Sequence, residues 1–418
     1  MGLIGDRLAA WAARRPHLLL AAVPGATDVR LAVEAQAHRY GWPLAASPAD
    51  ADLLVVAGEP GPELAEAIER VWAQLPGPRA RARTGDRQGA AGILAAMARR
   101  LTGADGEAVD LGPDGGMAPA HQGGTGGHDG DDHQGGDDQR GGHDQRGGPG
   151  GHGRQGGHDQ QGGRGGDEGQ GHGGMSMPGG LMMADRADDR DGLKLDVLHL
   201  ALGPVLADWP AGLVVELTVQ GDVVQAATGR VLPPAAPVEE AFWDADVPGE
   251  RRRRHAASHL DSLGRLWAVA GWPSGAATAR RLRDELIDGG PVDEAYREFE
   301  RLDRRARRSR ALRWSTDGLG VLSAPDAARA DVTGPAARAA DTGGDATARW
   351  RCWLAETGRL LAGGEPTATG PRGAGGASAA LLAVATRLMV GLDLAAARLV
   401  LASFDPDPDE LAAVGVRR

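Results

Sequence analysis

A chain of 418 residues is long enough for two or three domains with sizeable cores. Its net charge of −11 supplies no general basic surface for a phosphate backbone, so nucleic acid is not expected as a partner. A single cysteine, Cys352, excludes a disulfide framework, a zinc ribbon or a cysteine-ligated iron–sulfur cluster built within this chain.

In chain order, Leu18-Leu-Leu-Ala-Ala-Val23 reads as a buried strand and Val29 to Tyr40 as a helix. Asp52-Leu-Leu-Val-Val-Ala57 is a second buried strand, followed by the turn Gly58-Glu-Pro-Gly61 and a helix from Pro62 to Leu75. Short apolar strands alternating with helices predict an α/β domain with a parallel, flavodoxin-like sheet over residues 1–108. From Gly112 to Gly180 the chain is built of Gly, Asp, Gln, His and Arg. Such a stretch buries too little apolar surface to offset its ordering entropy, so residues 109–184 are expected to be a disordered linker.

The third region, 185–418, is expected to be α+β, a small β element followed by a helical bundle. Leu193 to Leu200, Leu213 to Val219 and Val223 to Ala227 read as strands, with Gln220-Gly221-Asp222 as a hairpin turn. Predicted helices run His255–Ala270, Gly275–Ile287, Val292–Leu312, Ala346–Leu361 and Ala379–Val390, with a Gly/Pro/Ala loop from Gly363 to Gly376. Cys352 falls inside one of these helices and reads as a half-buried apolar residue rather than a nucleophile. Arginines cluster at Arg251–Arg254 and again from Arg297 to Arg313, the second run alternating with Glu298, Glu300 and Asp303 as a solvated face or a subunit contact. No apolar run approaches the ~20 residues needed to span a bilayer, and no secretory signature opens the chain. A cytoplasmic protein is expected, peripheral at the inner face of the plasma membrane where partners hold it there.

Three phrases in the first region carry a resemblance: Arg39-Tyr-Gly-Trp-Pro-Leu44, Ser47-Pro-Ala-Asp-Ala-Asp-Leu-Leu-Val-Val-Ala-Gly58 and Gln74-Leu-Pro-Gly-Pro-Arg79. Together they resemble the iron–sulfur (20 kDa-type) subunit of respiratory complex I and the related small subunit of nickel–iron hydrogenases. That family holds an iron–sulfur cluster on four thiolates; by the resemblance, Pro24, Thr27 and Arg87 stand where cysteines would be. None of the three can replace a thiolate. In the third region, Leu202 to Val224, then Ala268–Pro273 and Ala279–Leu286, are similar to the partner family, the complex I 49 kDa-type and hydrogenase large subunits. The resemblance implies a β-hairpin beside a quinone or metal site, with Trp209-Pro210 near the family's His-Pro. No histidine occurs between His199 and His255, and the paired Cys-x-x-Cys motifs of a hydrogenase are missing.

The expected function is therefore a non-catalytic accessory or structural subunit of a complex I-like (NADH:quinone oxidoreductase) or hydrogenase-like membrane assembly. Its partners would be protein subunits of that complex, with no catalytic residue and no resident cofactor of its own. One alternative is a quinone-linked oxidoreductase subunit using cofactors of neighbouring chains. Another is a metal-binding or delivery protein acting through His121, His128, His133, His143, His152, His158 and His172, which lie among aspartates in the linker. Imidazole with carboxylate suits nickel, zinc or copper, but no repeated spacing defines one site, so only weak binding is expected.

Overall fold

The computed structural model describes residues 15–101, 109–111, 185–188, 194–244, 247, 250–367 and 369–415. The first half opens β1 (Leu18–Ala22), α1 (Thr27–Arg39), β2 (Leu53–Ala57), α2 (Pro62–Gln74), β3 (Ala80–Thr84) and α3 (Gly89–Leu101), with a short β4 at Val109–Leu111. The strands form a parallel sheet in the order β1-β2-β3-β4, Leu18 lying opposite Leu53 and Leu53 opposite Ala80. β1 and β2 are apolar throughout because helices cover both faces. Leu64 and Ile68 of α2 pack on Leu19, Ala21, Leu54 and Val56; Val33 and Ala37 of α1, with Ile93 and Met97 of α3, pack on Leu18, Leu53 and Val55.

One small pairing sets the topology. After α1 the chain returns beside β1 through a parallel bridge from Leu18 to Leu44, on the side away from β2. The connection then crosses to β2. Chain direction across the sheet thus reverses next to β1, which places a topological switch point, with its crevice, at the carboxyl ends of β1 and β2.

β3 was not expected from its composition. In Ala80-Arg-Ala-Arg-Thr84 the alternating arginines mask a strand whose Ala80, Ala82 and Thr84 are buried. Arg81 and Arg83 turn outward to Glu69 at 2.5 Å and Glu59 at 2.6 Å. β4 stands within the stretch assigned to the linker, 109–184, and the remainder of that stretch lies outside the described residues.

The second half begins with an antiparallel meander: β5 (Asp185–Asp188), β6 (Lys194–Leu202), β7 (Leu213–Gln220) and β8 (Val223–Val231). Gln220 pairs with Val223, leaving Gly221-Asp222 as a two-residue turn with Gly221 at φ +63°. The helices are α4 (Arg251–Val269), α5 (Pro273–Ile287), α6 (Val292–Arg308), α7 (Arg310–Thr316), α8 (Ala324–Arg329), α9 (Gly334–Ala340), α10 (Ala346–Leu361), α11 (Ala377–Met389), α12 (Leu394–Phe404) and α13 (Pro408–Gly415). The predicted helix Val292–Leu312 is two helices. Ser309 is extended, and its hydroxyl accepts from the Leu312 N–H, capping α7 and ending α6.

Period-two alternation in β7 feeds two cores. Leu213, Val215, Leu217 and Val219 face α11 and α12, while Val214 joins Leu19, Val23 and Ala26 of the first half. A third core gathers Leu260, Leu263 and Trp267 of α4 with Leu282, Phe299, Trp350 and Leu354, and it includes Leu31 of α1. The described residues of 1–118 and 184–418 accordingly make one compact unit. No helix among the described residues is long and apolar enough to cross a membrane.

Candidate functional site

The carboxyl edge of the parallel sheet is the first place to look for chemistry, since ligands of open α/β sheets sit at the switch point. Here the second half covers it. The Gly25 N–H, in the loop after β1, donates to Asp409 Oδ1 at 2.7 Å. Ala235 N–H donates to Glu59 O at 3.0 Å, and Pro60 bridges Pro234 antiparallel. The approach is close enough to require glycine: a Cβ on Gly61 would lie 2.4 Å from Pro233 O, and one on Gly25 would lie 2.7 Å from Val238. Pro24 lies in this loop, and buried Thr27 is the first residue of α1. Arg87 is elsewhere engaged, pairing with Asp288, which also takes Arg39 at 2.6 Å. The groups at the edge are Pro24, Thr27 and Asp409. They include no thiolate and do not fit an iron–sulfur cluster.

Behind this cover lies a charged network that joins the halves. Asp261 of α4, 2% exposed, receives Arg30 of α1 at 2.8 Å, Arg265 at 2.5 Å and Arg283 at 2.6 Å. Glu34 accepts from Arg30 at 2.9 Å and from Arg283 at 2.8 Å. Burial alone would raise both carboxyls, but the guanidinium charges prevail; Glu34 is held down to about 2 and Asp261 well below the usual carboxylate range. The chain of contacts continues through Arg265, whose Nε is 3.3 Å from Asp405 Oδ1. Asp405 Oδ2 in turn accepts from Ser262 at 2.6 Å and Arg372 at 2.5 Å, and Arg372 also bonds Ser258.

The segment Asp405-Pro-Asp-Pro-Asp-Glu410 is buried against this network, with Asp405 at φ +45°. Asp407 has no arginine salt bridge. Burial and the neighbouring Asp409 charge push it up to about 8, so it is protonated at neutral pH. Asp244, desolvated and close to Glu410, is raised to about 6. Burial and nearby guanidinium groups push His255 down to about 4 and His259 well below its ordinary value, which keeps both imidazoles neutral.

Between the halves the network forms the polar floor of a cavity of about 490 Å³. Leu18, Trp42 and Leu44 line it from the first half, and Leu206, Trp209 and Ala276 from the second, with Arg30, Arg265, Arg280 and Arg283 on the charged side. That size and mixture are typical of a small-molecule site. The β6–β7 connection reaches it through Pro204, Leu206, Trp209 and Ala211. Trp209, however, aims its Nε1 at Leu213 O at 2.7 Å, bracing its own loop.

Sequence reasoning found the β7–β8 hairpin and singled out Pro24 and Thr27 but missed Asp261, Arg265, Arg283, Arg372 and Asp405. Buried charges on helices leave no local motif; Asp261 two residues from a core Leu263 was the available signal. Cys352 is half-buried on α10, and burial raises its thiol. The seven linker histidines lie outside the described residues, among which no group of three or more His, Cys, Asp or Glu is arranged to hold a metal.

These charges set three expected outcomes. Asp261→Asn leaves three buried guanidiniums short of a counter-charge and should cost about 3–5 kcal/mol in urea unfolding. Asp288→Asn, at a half-exposed pair, should cost about 1 kcal/mol or less. Asp407 has its folded-state pKa raised from 3.8 to about 8, so its contribution to stability is full below pH 4 and is lost as pH rises to 8. Asp407→Asn should therefore melt with wild type near pH 4 and several degrees above it at pH 8, measured by thermal unfolding across that range.

No family model and no curated protein matches this chain. Among solved structures it is similar to a chain of the membrane-bound sulfane sulfur reductase, an archaeal respiratory membrane complex, at 15% identity and a TM-score of 0.40. The alignment covers 52% of this chain and 98% of that one, and the likeness is a coarse one.

Proposed function

We propose that this chain is a non-catalytic accessory or structural subunit of a complex I-like or hydrogenase-like membrane assembly, carrying a small-subunit-like and a large-subunit-like half in one polypeptide. The observation that supports this reading is the cover over the carboxyl edge of the parallel sheet. Residues 233–238 and Asp409 occupy the approach that a cluster or a docked substrate needs there. The residues on that edge are structural: they hold one half against the other.

In this reading the outer surfaces meet neighbouring subunits while the inner edge is closed. Affinity purification of the full-length chain from native membranes should recover respiratory or hydrogenase-type subunits, and recovery of none overturns the proposal. Anaerobic incubation with iron and sulfide should leave the protein without the broad visible absorption of a thiolate-bound cluster; a stoichiometric cluster also overturns it.

The cavity favours one second reading, a quinone-linked oxidoreductase subunit that depends on cofactors of neighbouring chains. Its apolar walls fit a ring and tail, and its guanidinium floor supplies hydrogen-bond donors to a carbonyl oxygen. Calorimetric titration with a short-chain benzoquinone separates the two. The second reading requires saturable binding that is lost in Ala277→Trp, a substitution at an exposed position on the cavity wall.

A further inference from the structure

The outer face of α6 carries a row of arginines that the interior does not use. Its buried stripe is Ala295, Phe299, Leu302 and Ala306. Arg297, Arg301, Arg304 and Arg308 repeat the same four-three-four spacing and fall on the opposite side of the helix, all of them exposed. Arg297 donates only to its own helix, to Asp293 O at 3.1 Å. None of the four forms an ion pair among the described residues. Of the nearby acids, Glu298 is engaged by Arg281 and Asp303 by Arg307.

Two arginines of this half are different. Arg253 and Arg254, in the earlier basic run, donate to Gly290 O and Phe242 O at 2.7 and 2.8 Å and tie loops to α4. Residues 297–313 hold eight arginines against three acids, in a chain whose net charge is −11. Shortly after the row, on α7, Trp314 is 89% exposed.

We propose that this row is a docking face for an anionic lipid bilayer, with its guanidinium groups on lipid phosphates and Trp314 as the interfacial aromatic. Charge complementarity selects that occupant. The row extends roughly 16 Å along the helix, the length of three turns, and contains no apolar residue that could form the core of a protein interface. A bilayer asks only for a line of cationic charge and an amphipathic ring at headgroup depth. Arginine suits phosphate particularly well because its planar fork offers paired donors.

The test is co-sedimentation of the purified full-length chain with phosphatidylcholine vesicles, with and without phosphatidylglycerol, at low and high salt. The chain should sediment only with the anionic vesicles and be released by salt. Changing Arg297, Arg301, Arg304 and Arg308 together to Gln should lower partitioning by on the order of fivefold per charge removed. The same four positions changed to Lys should retain binding, which keeps the test decisive if the Gln variant fails to fold. Trp314→Ala should weaken binding further. Equal binding to neutral vesicles, undiminished binding of a folded Gln variant, loss of binding in the Lys variant, or attachment of the row to duplex DNA or an acidic protein in preference to anionic vesicles each overturns the proposal. Because the chain is tested alone, that result leaves the accessory-subunit reading standing.

Discussion

Asp261 is the constraint on which the rest of this molecule depends. A carboxylate out of reach of water must be matched by positive charge, and this one is matched three times, once from the first half and twice from the second. Pulling the halves apart would strand Arg30 and Glu34 on one side and Asp261 with Arg283 on the other. Apolar contact alone tolerates sliding; a carboxylate held by three guanidinium groups does not, because each hydrogen bond fixes a direction as well as a distance. The orientation of α1 against α4 and α5 follows from it.

The same network explains why a cavity persists beside an otherwise closed interface. Lys194 is the chain's only lysine, so every cation in the interior is a guanidinium. Guanidinium groups are planar, rigid and always charged, and they cannot be collapsed upon by leucine without losing their partners. The floor of Arg30, Arg265, Arg280 and Arg283 therefore stays open under the apolar walls of Leu18, Trp42 and Leu44. At the carboxyl edge of the sheet, where Gly25 and Gly61 let the second half approach to contact, no such charged floor exists and the space is filled.

Much of this fold was legible in the sequence because its strands and helices follow simple periods. β1, β2 and α2 declare themselves through apolar runs and the Gly-Glu-Pro-Gly turn, and β7 and β8 through alternation around Gly221. β3 was hidden because its outward residues are arginines, and pairing with Glu59 and Glu69 is a property of the folded state. The break at Ser309 was hidden by an unbroken helical pattern on both sides, although a serine able to cap is itself a weak stop signal. The site was harder to read than the fold. The hairpin could be found from short phrases, but the network joins residues as far apart as Arg30 and Asp261. No window of sequence contains such a pairing.

The acidic segment Asp405 to Glu410 shows why burial must be weighed group by group. Asp405 lies within reach of Arg265 and Arg372 and is engaged on both sides. Two residues on, Asp407 accepts the Asp409 N–H at 3.0 Å and its own N–H donates to Ser378 Oγ at 2.9 Å, neither of which supplies the charge an ionised carboxylate needs. Arg372 draws it down, but burial and the Asp409 charge outweigh that pull and favour its protonated form. Asp409 is between these cases, desolvated but receiving the Gly25 N–H. One stretch of alternating Asp and Pro thus does three things: it anchors the internal network, buries a neutral acid, and reaches the first half. The last of these requires the other two, because only a segment fixed by Asp405 and packed around a neutral Asp407 can present Asp409 to the Gly25 loop.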